Sequence, residues 1–137
     1  MTSSFVHGKN TVVKVATKDL SPYTDSSELP LAVDSHDTTT YGNSSHRKDG
    51  GLLNGTFNMS GTYDRTAVTG PRAVLKPILK AAVPVAVIVQ PDGTGVGKAQ
   101  DAFNALLVEY TQTNPVADMV KWSAKFEIDG DVNDAVQ

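Results

Sequence analysis

Met119-Val120-Lys121-Trp122-Ser123-Ala124-Lys125-Phe126-Glu127-Ile128 is the stretch whose reading decides the fold. Val120, Trp122, Ala124, Phe126 and Ile128 alternate without a break with Lys121, Ser123, Lys125 and Glu127. A period of two puts these sets on opposite faces of a β-strand, one toward a core and one toward water. Positions 52–63 read the same way, with Leu53, Phe57, Met59 and Tyr63 set against Asn54, Thr56, Asn58 and Ser60. The candidate core is therefore Phe57, Met59, Val120, Trp122, Phe126 and Ile128. Gly55 and Gly61 fall in the apolar register, which predicts a bulge or a neighbouring backbone too close for a side chain.

Working outward, Val85-Ala86-Val87-Ile88-Val89 is an uninterrupted apolar run, the pattern of a strand covered on both faces. Positions 11–17, 29–33 and 38–41 are weaker strand candidates. One helix is predicted over about 71–82: Val74, Leu75, Ile78, Leu79 and Ala82 share a face, with Arg72, Lys76 and Lys80 opposite. Pro71 suits its first turn, whereas Pro77 predicts a kink or a restart. Positions 99–110 carry two readings. Ala99, Ala102, Phe103, Leu106, Leu107 and Tyr110 match helical spacing, and a strand over 103–111 leading through Asn114-Pro115 fits as well. Positions 42–51 hold no apolar side chain apart from glycine and form a long polar loop, the kind of connection used for contact.

The chain has 137 residues, enough for a single domain over 1–137 with its own core. It contains no cysteine, so disulfides and thiolate chemistry are excluded. Met1 to Phe5 lack the basic segment and apolar run of a signal peptide, and no apolar run is long enough to cross a bilayer. The expectation is a soluble protein made in a cytoplasm, with no membrane partner. Twelve basic residues stand against fifteen acidic ones, and they are unevenly placed. Positions 18–40 hold five carboxylates (Asp19, Asp25, Glu28, Asp34, Asp37) and one lysine, while 65–80 hold Arg65, Arg72, Lys76 and Lys80 and no acid. An acidic balance of this kind argues against a nucleic-acid-binding face.

Chemistry-bearing motifs fail on inspection. Gly93-Thr94-Gly95-Val96-Gly97-Lys98-Ala99 resembles a phosphate loop, but Asp92 stands at its first glycine position and Ala99 at its hydroxyl position. Asp129-Gly130-Asp131-Val132-Asn133 begins like a calcium loop, yet Asp134 occupies the position where the sharp turn needs glycine. His7, His36 and His46 lack zinc-ligand spacing, and no Gly-x-Ser-x-Gly elbow is present. The sequence therefore predicts neither an enzyme nor a cofactor or metal.

Taken in order, the features resemble the major tail protein, or tail tube subunit, of long non-contractile-tailed bacteriophages. His7-Gly8-Lys9 leads into a first strand, and Asp37-Thr38-Thr39-Thr40-Tyr41-Gly42 is similar to the family's Thr-Thr-aromatic-Gly before its long loop. Gly51-Leu52 and then Gly55-Thr56-Phe57-Asn58-Met59-Ser60-Gly61-Thr62-Tyr63-Asp64 resemble its strand closing on Gly-x-aromatic-Asp. Pro91-Asp92-Gly93, Pro115-Val116 and Gly130-x-Val132 follow in the family's order, so the resemblance spans about 7–132.

The resemblance implies a mainly β chain, a β-sandwich or half-barrel with one short helix, and it sides with the strand reading of 103–111. It implies that six copies join their sheets into a ring and that rings stack into a hollow virion tail tube. Double-stranded DNA would pass through the lumen on ejection without specific binding. The loop Tyr41, Gly42, Asn43, Ser44, Ser45, His46, Arg47, Lys48, Asp49 and Gly50 would then contact the next subunit or ring. Flexible arms over 1–10 and 129–137 would order on assembly. Tape measure, tail-tip and terminator proteins would be further partners. A lumen lined by carboxylates and neutral polar groups is expected, because each cation on a phosphate adds affinity. The alternatives are another ring-forming tube or terminator component and a monomeric β-sandwich binding module.

Overall fold

The computed structural model describes residues 6–65 and 70–137. Among them, eight strands form one antiparallel sheet: β1 (Val12–Val15), β2 (Lys18–Asp19), β3 (Thr24–Glu28), β4 (Leu31–Asp37), β5 (Lys48–Thr62), β6 (Val85–Gln90), β7 (Ala99–Thr113) and β8 (Lys121–Val136). One helix, α1 (Pro71–Ala81), lies between β5 and β6. The strand order is β2-β1-β6-β7-β8-β5-β3, and β4 pairs with the outer half of β5. The sheet curls into a half-barrel, and α1 packs on its inner face against β7.

The alternating stretch is the spine of this sheet. Trp122, Ala124 and Phe126 are buried, and their partners on β5 across the ladder are Gly61, Met59 and Phe57. Phe57 packs edge-on to Phe103, with ring centroids 5.7 Å apart, and lies 5.9 Å from Phe126. Val13, Val15, Leu20, Val87, Val89, Ala105 and Leu107 close the core, with Val74 and Leu75 of α1 above it. Ile128 is half-buried against this cluster. Val120 is also only half-buried, because it precedes the first paired residue of β8.

Positions 99–113 are strand throughout, and the helical spacing has a physical origin in the ladder. Leu107 pairs with Phe126 and Glu109 with Lys125, so Val108 is an extra, bulged residue. Phe103, Ala105 and Leu107 point inward with a period of two, and the bulge shifts the next inward residue to Tyr110. The intervals 103–107 and 107–110 then imitate a helical face.

Other expectations need correction. The α1 helix runs through Pro77 without a restart. Pro77 and Ala73 both lie on its exposed side, where water can serve the carbonyl that proline leaves unbonded. The helix stops at Ala82, a left-handed residue at φ 55° whose N–H donates to Ile78 O. Positions 38–41 are turn, not strand, and the polar loop is 38–47, because 48–51 already belong to β5. The apolar run at β6 is covered on one face only, with Val87 and Val89 buried and Ala86 exposed. The segment 129–137, expected as a flexible arm, is mostly β8: Asp134 pairs with Asp101 and Val136 with Ala99. Of the expected arm over 1–10, residues 1–5 lie outside the described residues, and Gly8–Asn10 form a 3-10 turn.

Candidate assembly surfaces

Three surfaces are candidates for contact. The first is a hairpin. Because β3 and β4 pair along the same strand, β5, they form one interrupted edge strand from Thr24 to Asp37. Its outer half and the facing half of β5 make a two-stranded ribbon in which every residue of β4 is exposed. Leu31 sits opposite Gly55 and Val33 opposite Leu53, which places three large apolar side chains on one side of the ribbon. They are 45, 55 and 42% exposed for Leu31, Val33 and Leu53, and Leu52 is 80% exposed. A lone ribbon with this much bare apolar surface has no folding reason of its own.

The ribbon's tip is organised by Asp37. Its carboxylate accepts hydrogen bonds from the Thr39 backbone N–H at 2.9 Å and the Thr39 hydroxyl. His46 Nδ1 and Lys48 Nζ approach it at 3.5 Å. Thr39 Oγ1 accepts from Arg47 N–H, and Thr38 N–H donates to Arg47 O, so the two sides of the loop are stitched together. The Thr39 hydrogen bonds, aided by Lys48 and His46, hold the Asp37 carboxyl below the usual carboxylate range. Asn43 caps the turn through Thr40, and Tyr41 projects fully into solvent. Of the ten loop residues singled out in the sequence, Tyr41, Gly42, Asn43, Ser44, Ser45, His46 and Arg47 lie in this tip, while Lys48, Asp49 and Gly50 start β5. All ten are exposed. The sequence reading missed Asp37 as the organiser, although Asp37-Thr38-Thr39 is a recognisable side-chain turn signal.

The second surface is the polar face of the sheet. Asn58, Ser60, Ser123, Lys125, Glu127 and Glu109 point away from the core, and Glu109 stands directly across the ladder from Lys125. The third is the outward side of α1. Arg72, Lys76 and Lys80 follow one another at helical intervals of four, beside Ala73, Pro77 and Ala81.

The phosphate-loop lookalike is a closed turn. The amides of Gly95 and Gly97 donate to Gln137, to its side-chain Oε1 at 3.1 Å and its backbone O at 2.9 Å, and Gln137 Nε2 donates to Gly93 O at 2.8 Å. Thr94 and Gln100 are tied to Gln90. The Gly93, Gly95, Gly97 and Lys98 amides that a phosphate would need are already bonded. Among the described residues, no cluster of three or more His, Asp or Glu side chains is arranged around a metal-sized space.

No protein-family model and no curated protein sequence matches the chain. Its architecture does have counterparts among solved structures. The tail of an empty gene transfer agent particle, with C6 symmetry, matches at TM-score 0.76 and 12% identity, over 96% of this chain and 100% of that one. The SPP1 tail tube matches at 0.77 and 8% identity, over 97% and 81%. The sheath-tube complex of an extracellular contractile injection system, PVC, matches at 0.73 and 13% identity, over 100% of both chains. Identities this low speak for the backbone arrangement alone. The chain has the fold of phage tail tube proteins.

Proposed function

We propose that the protein is a structural subunit whose copies join side by side into rings, and that the rings stack into the tube of a phage tail. The observation that carries this reading is the edge strand from Thr24 to Asp37 and its ribbon. A long unpaired sheet edge with exposed Leu31, Val33 and Leu53 is an aggregation hazard in a monomer, and assembly into a closed array removes it. The C6 symmetry of the gene transfer agent tail supports a sixfold ring. The ribbon tip, with Tyr41 and His46, then reaches the neighbouring subunit or ring. Tape measure, tail-tip and terminator proteins are its further partners, and the virion tail is its location.

In this reading the polar sheet face lines the lumen through which double-stranded DNA is ejected. Glu109, Glu127, Asn58, Ser60 and Ser123 suit that role, since they bring no positive charge to neutralise phosphates. Lys121 and Lys125 depart from the expected acidic and neutral lining, and for Lys125 the facing Glu109 offsets the charge. A second reading, the tube of a contractile injection system, is favoured by full-length coverage of the PVC tube structure in both directions. Both readings are structural, without catalysis or cofactor.

Negative-stain electron microscopy of the purified protein at rising concentration, with light scattering, tests the proposal. Rings or hollow tubes are the expected result. A chain that stays monomeric when concentrated, and also beside a tail-tip complex, would return it to the monomeric binding-module class.

A further inference from the structure

The turn between β7 and β8 is apolar where turns are usually polar. Val116 stands fully in solvent and Met119 is 65% exposed, with Pro115 and Ala117 exposed beside them. Folding of the subunit gives no reason to expose a tip of this kind. A second bare apolar surface lies at the other end of the same strands. After Thr56 pairs with Glu127, β5 and β8 part: β5 goes on with β4 as the ribbon, and β8 goes on with β7. The fork between them is flanked on the core side by Leu31, Val33, Leu53 and Ile128. A Cβ added at Gly55 would meet both Leu31 Cδ2 and Ile128 Cδ1, so the apolar side of the ribbon is continuous with the core.

We propose that the β7–β8 turn of one copy seats in the fork of the next, with Val116 and Met119 against Leu31, Val33 and Leu53. This rests on the stacked-ring reading and adds to it which parts of successive copies meet. The occupant is a second copy because one chain carries both halves of the contact at places it cannot itself bring together. Lys121, just after the turn, pairs with Thr62, and about 30 Å along β5 separates Thr62 from Leu53. A copy displaced along the strands by slightly more than this brings its turn to the fork. Charge sets the polarity. Beyond the fork, β8 carries Asp129, Asp131 and Asp134 and neither lysine nor arginine. At the turn's end Tyr63 N–H donates to Val120 O, and Arg65 and Arg72 gather around Tyr63. There Arg65, Arg72 and Lys121 outnumber Asp64 and Asp118. Two turns, or two forks, brought together would set like charges against each other. The contact is therefore head to tail, and it extends as a stack rather than closing into a two-fold dimer.

The chain has no cysteine, so introduced cysteines report the contact without background. One variant carries Val116→Cys and Val33→Cys, a second Val116→Cys and Leu53→Cys, and the three single variants are controls. All three positions are exposed, and circular dichroism verifies that the variants are folded. After oxidation under assembling conditions, at least one double variant is expected to run as a ladder of covalent multimers on a non-reducing gel. The single variants should run as monomers. Mixing Val116→Cys with the matching single variant should give dimers and no higher rungs. Independently, a chain carrying Val116→Asp and Met119→Asp should keep single rings but need at least about tenfold higher concentration to form tubes.

Double variants that assemble into tubes yet form no ladder would overturn the proposal and leave the ring-forming reading intact. Dimers from Val116→Cys alone would overturn it too, because they would show turns meeting one another. Tubes that form normally from the chain with Val116→Asp and Met119→Asp would do the same, and would assign the turn to a partner other than a copy. A wild type that never assembles defeats the stacked-ring reading itself, and the proposal with it.

Discussion

Asp101 of β7 and Asp134 of β8 stand directly opposite each other in the antiparallel ladder, two carboxylates within hydrogen-bond contact. On its other side Asp101 pairs with the buried Val89, so one of the two acids is drawn partly out of water. Desolvation, followed by the hydrogen bond and charge of Asp134, raises the Asp101 pKa above its ordinary value. The pair is a local cost at neutral pH that sheet formation tolerates.

Because the folded pKa of Asp101 is raised, the native state binds its proton more tightly than the unfolded chain does. The penalty is complete above the folded pKa and fades as pH falls through it toward 3.8. Asp101→Asn should therefore raise the midpoint of thermal unfolding at pH 7, by about 0.5 kcal/mol from removal of a like-charge cross-strand pair. The gain should shrink steadily toward pH 4. A gain that is the same at both pH values would mean the carboxylate pair is not its source.

Gly61 tests the close approach of β3. A methyl group there would overlap the Tyr23 carbonyl and come within 2.9 Å of Thr24 Cα, and neither backbone atom can swing aside like a side chain. Gly61→Ala should destabilise the protein by more than about 2 kcal/mol in urea unfolding. Gly55→Ala should cost less, because its nearest obstacles are the Leu31 and Ile128 side-chain ends.

Phe57 sits between Phe103 and Phe126 with no exposed surface. Phe57→Ala should cost about 3–5 kcal/mol, on the scale of other large-to-small core changes, and Phe57→Leu markedly less. Equal losses would show that the aromatic contacts, rather than filled volume, carry the stability.

Among the described residues, the Tyr110 hydroxyl is buried without a hydrogen-bond partner. Removing an unsatisfied polar group while keeping the ring should stabilise, so Tyr110→Phe is expected to gain about 1 kcal/mol. A loss in thermal unfolding would reveal a partner for the hydroxyl in solution.

Asp37 governs the ribbon tip without contributing to the core. Asp37→Ala should leave the unfolding midpoint nearly unchanged while the amides of Thr39 and Arg47 lose their protection in hydrogen exchange. If those amides stay protected, the tip is ordered by something other than its carboxylate.

Much of the fold could be read from residue order because period-two alternation is local. Trp122, Ala124 and Phe126 against Lys121, Ser123 and Lys125 specify a half-buried strand whatever lies across from it. The helix at Pro71–Ala81 was equally legible, through one apolar face and a proline at its start. Glycines at 55 and 61 announced close approaches without saying with what: side-chain ends of Leu31 and Ile128 at the first, the Tyr23–Thr24 backbone at the second. The polar loop was visible as a run without apolar side chains, but its borders were not, since Lys48–Gly50 owe their strand conformation to pairing with Ser35, His36 and Asp37.

What the sequence determined by itself, then, was the local alphabet: a mainly β chain, one helix, a polar loop and an uneven charge. Only the tertiary structure decided the rest. A bulge at Val108 turns a helix-like spacing into strand, because two strands must keep register across unequal numbers of residues. Pairing with β7 makes 129–136 part of the sheet rather than an arm. Sequence patterns report what each residue prefers beside its neighbours in the chain. Register, edges and opposed charges depend on partners distant in sequence, and folding alone brings those together.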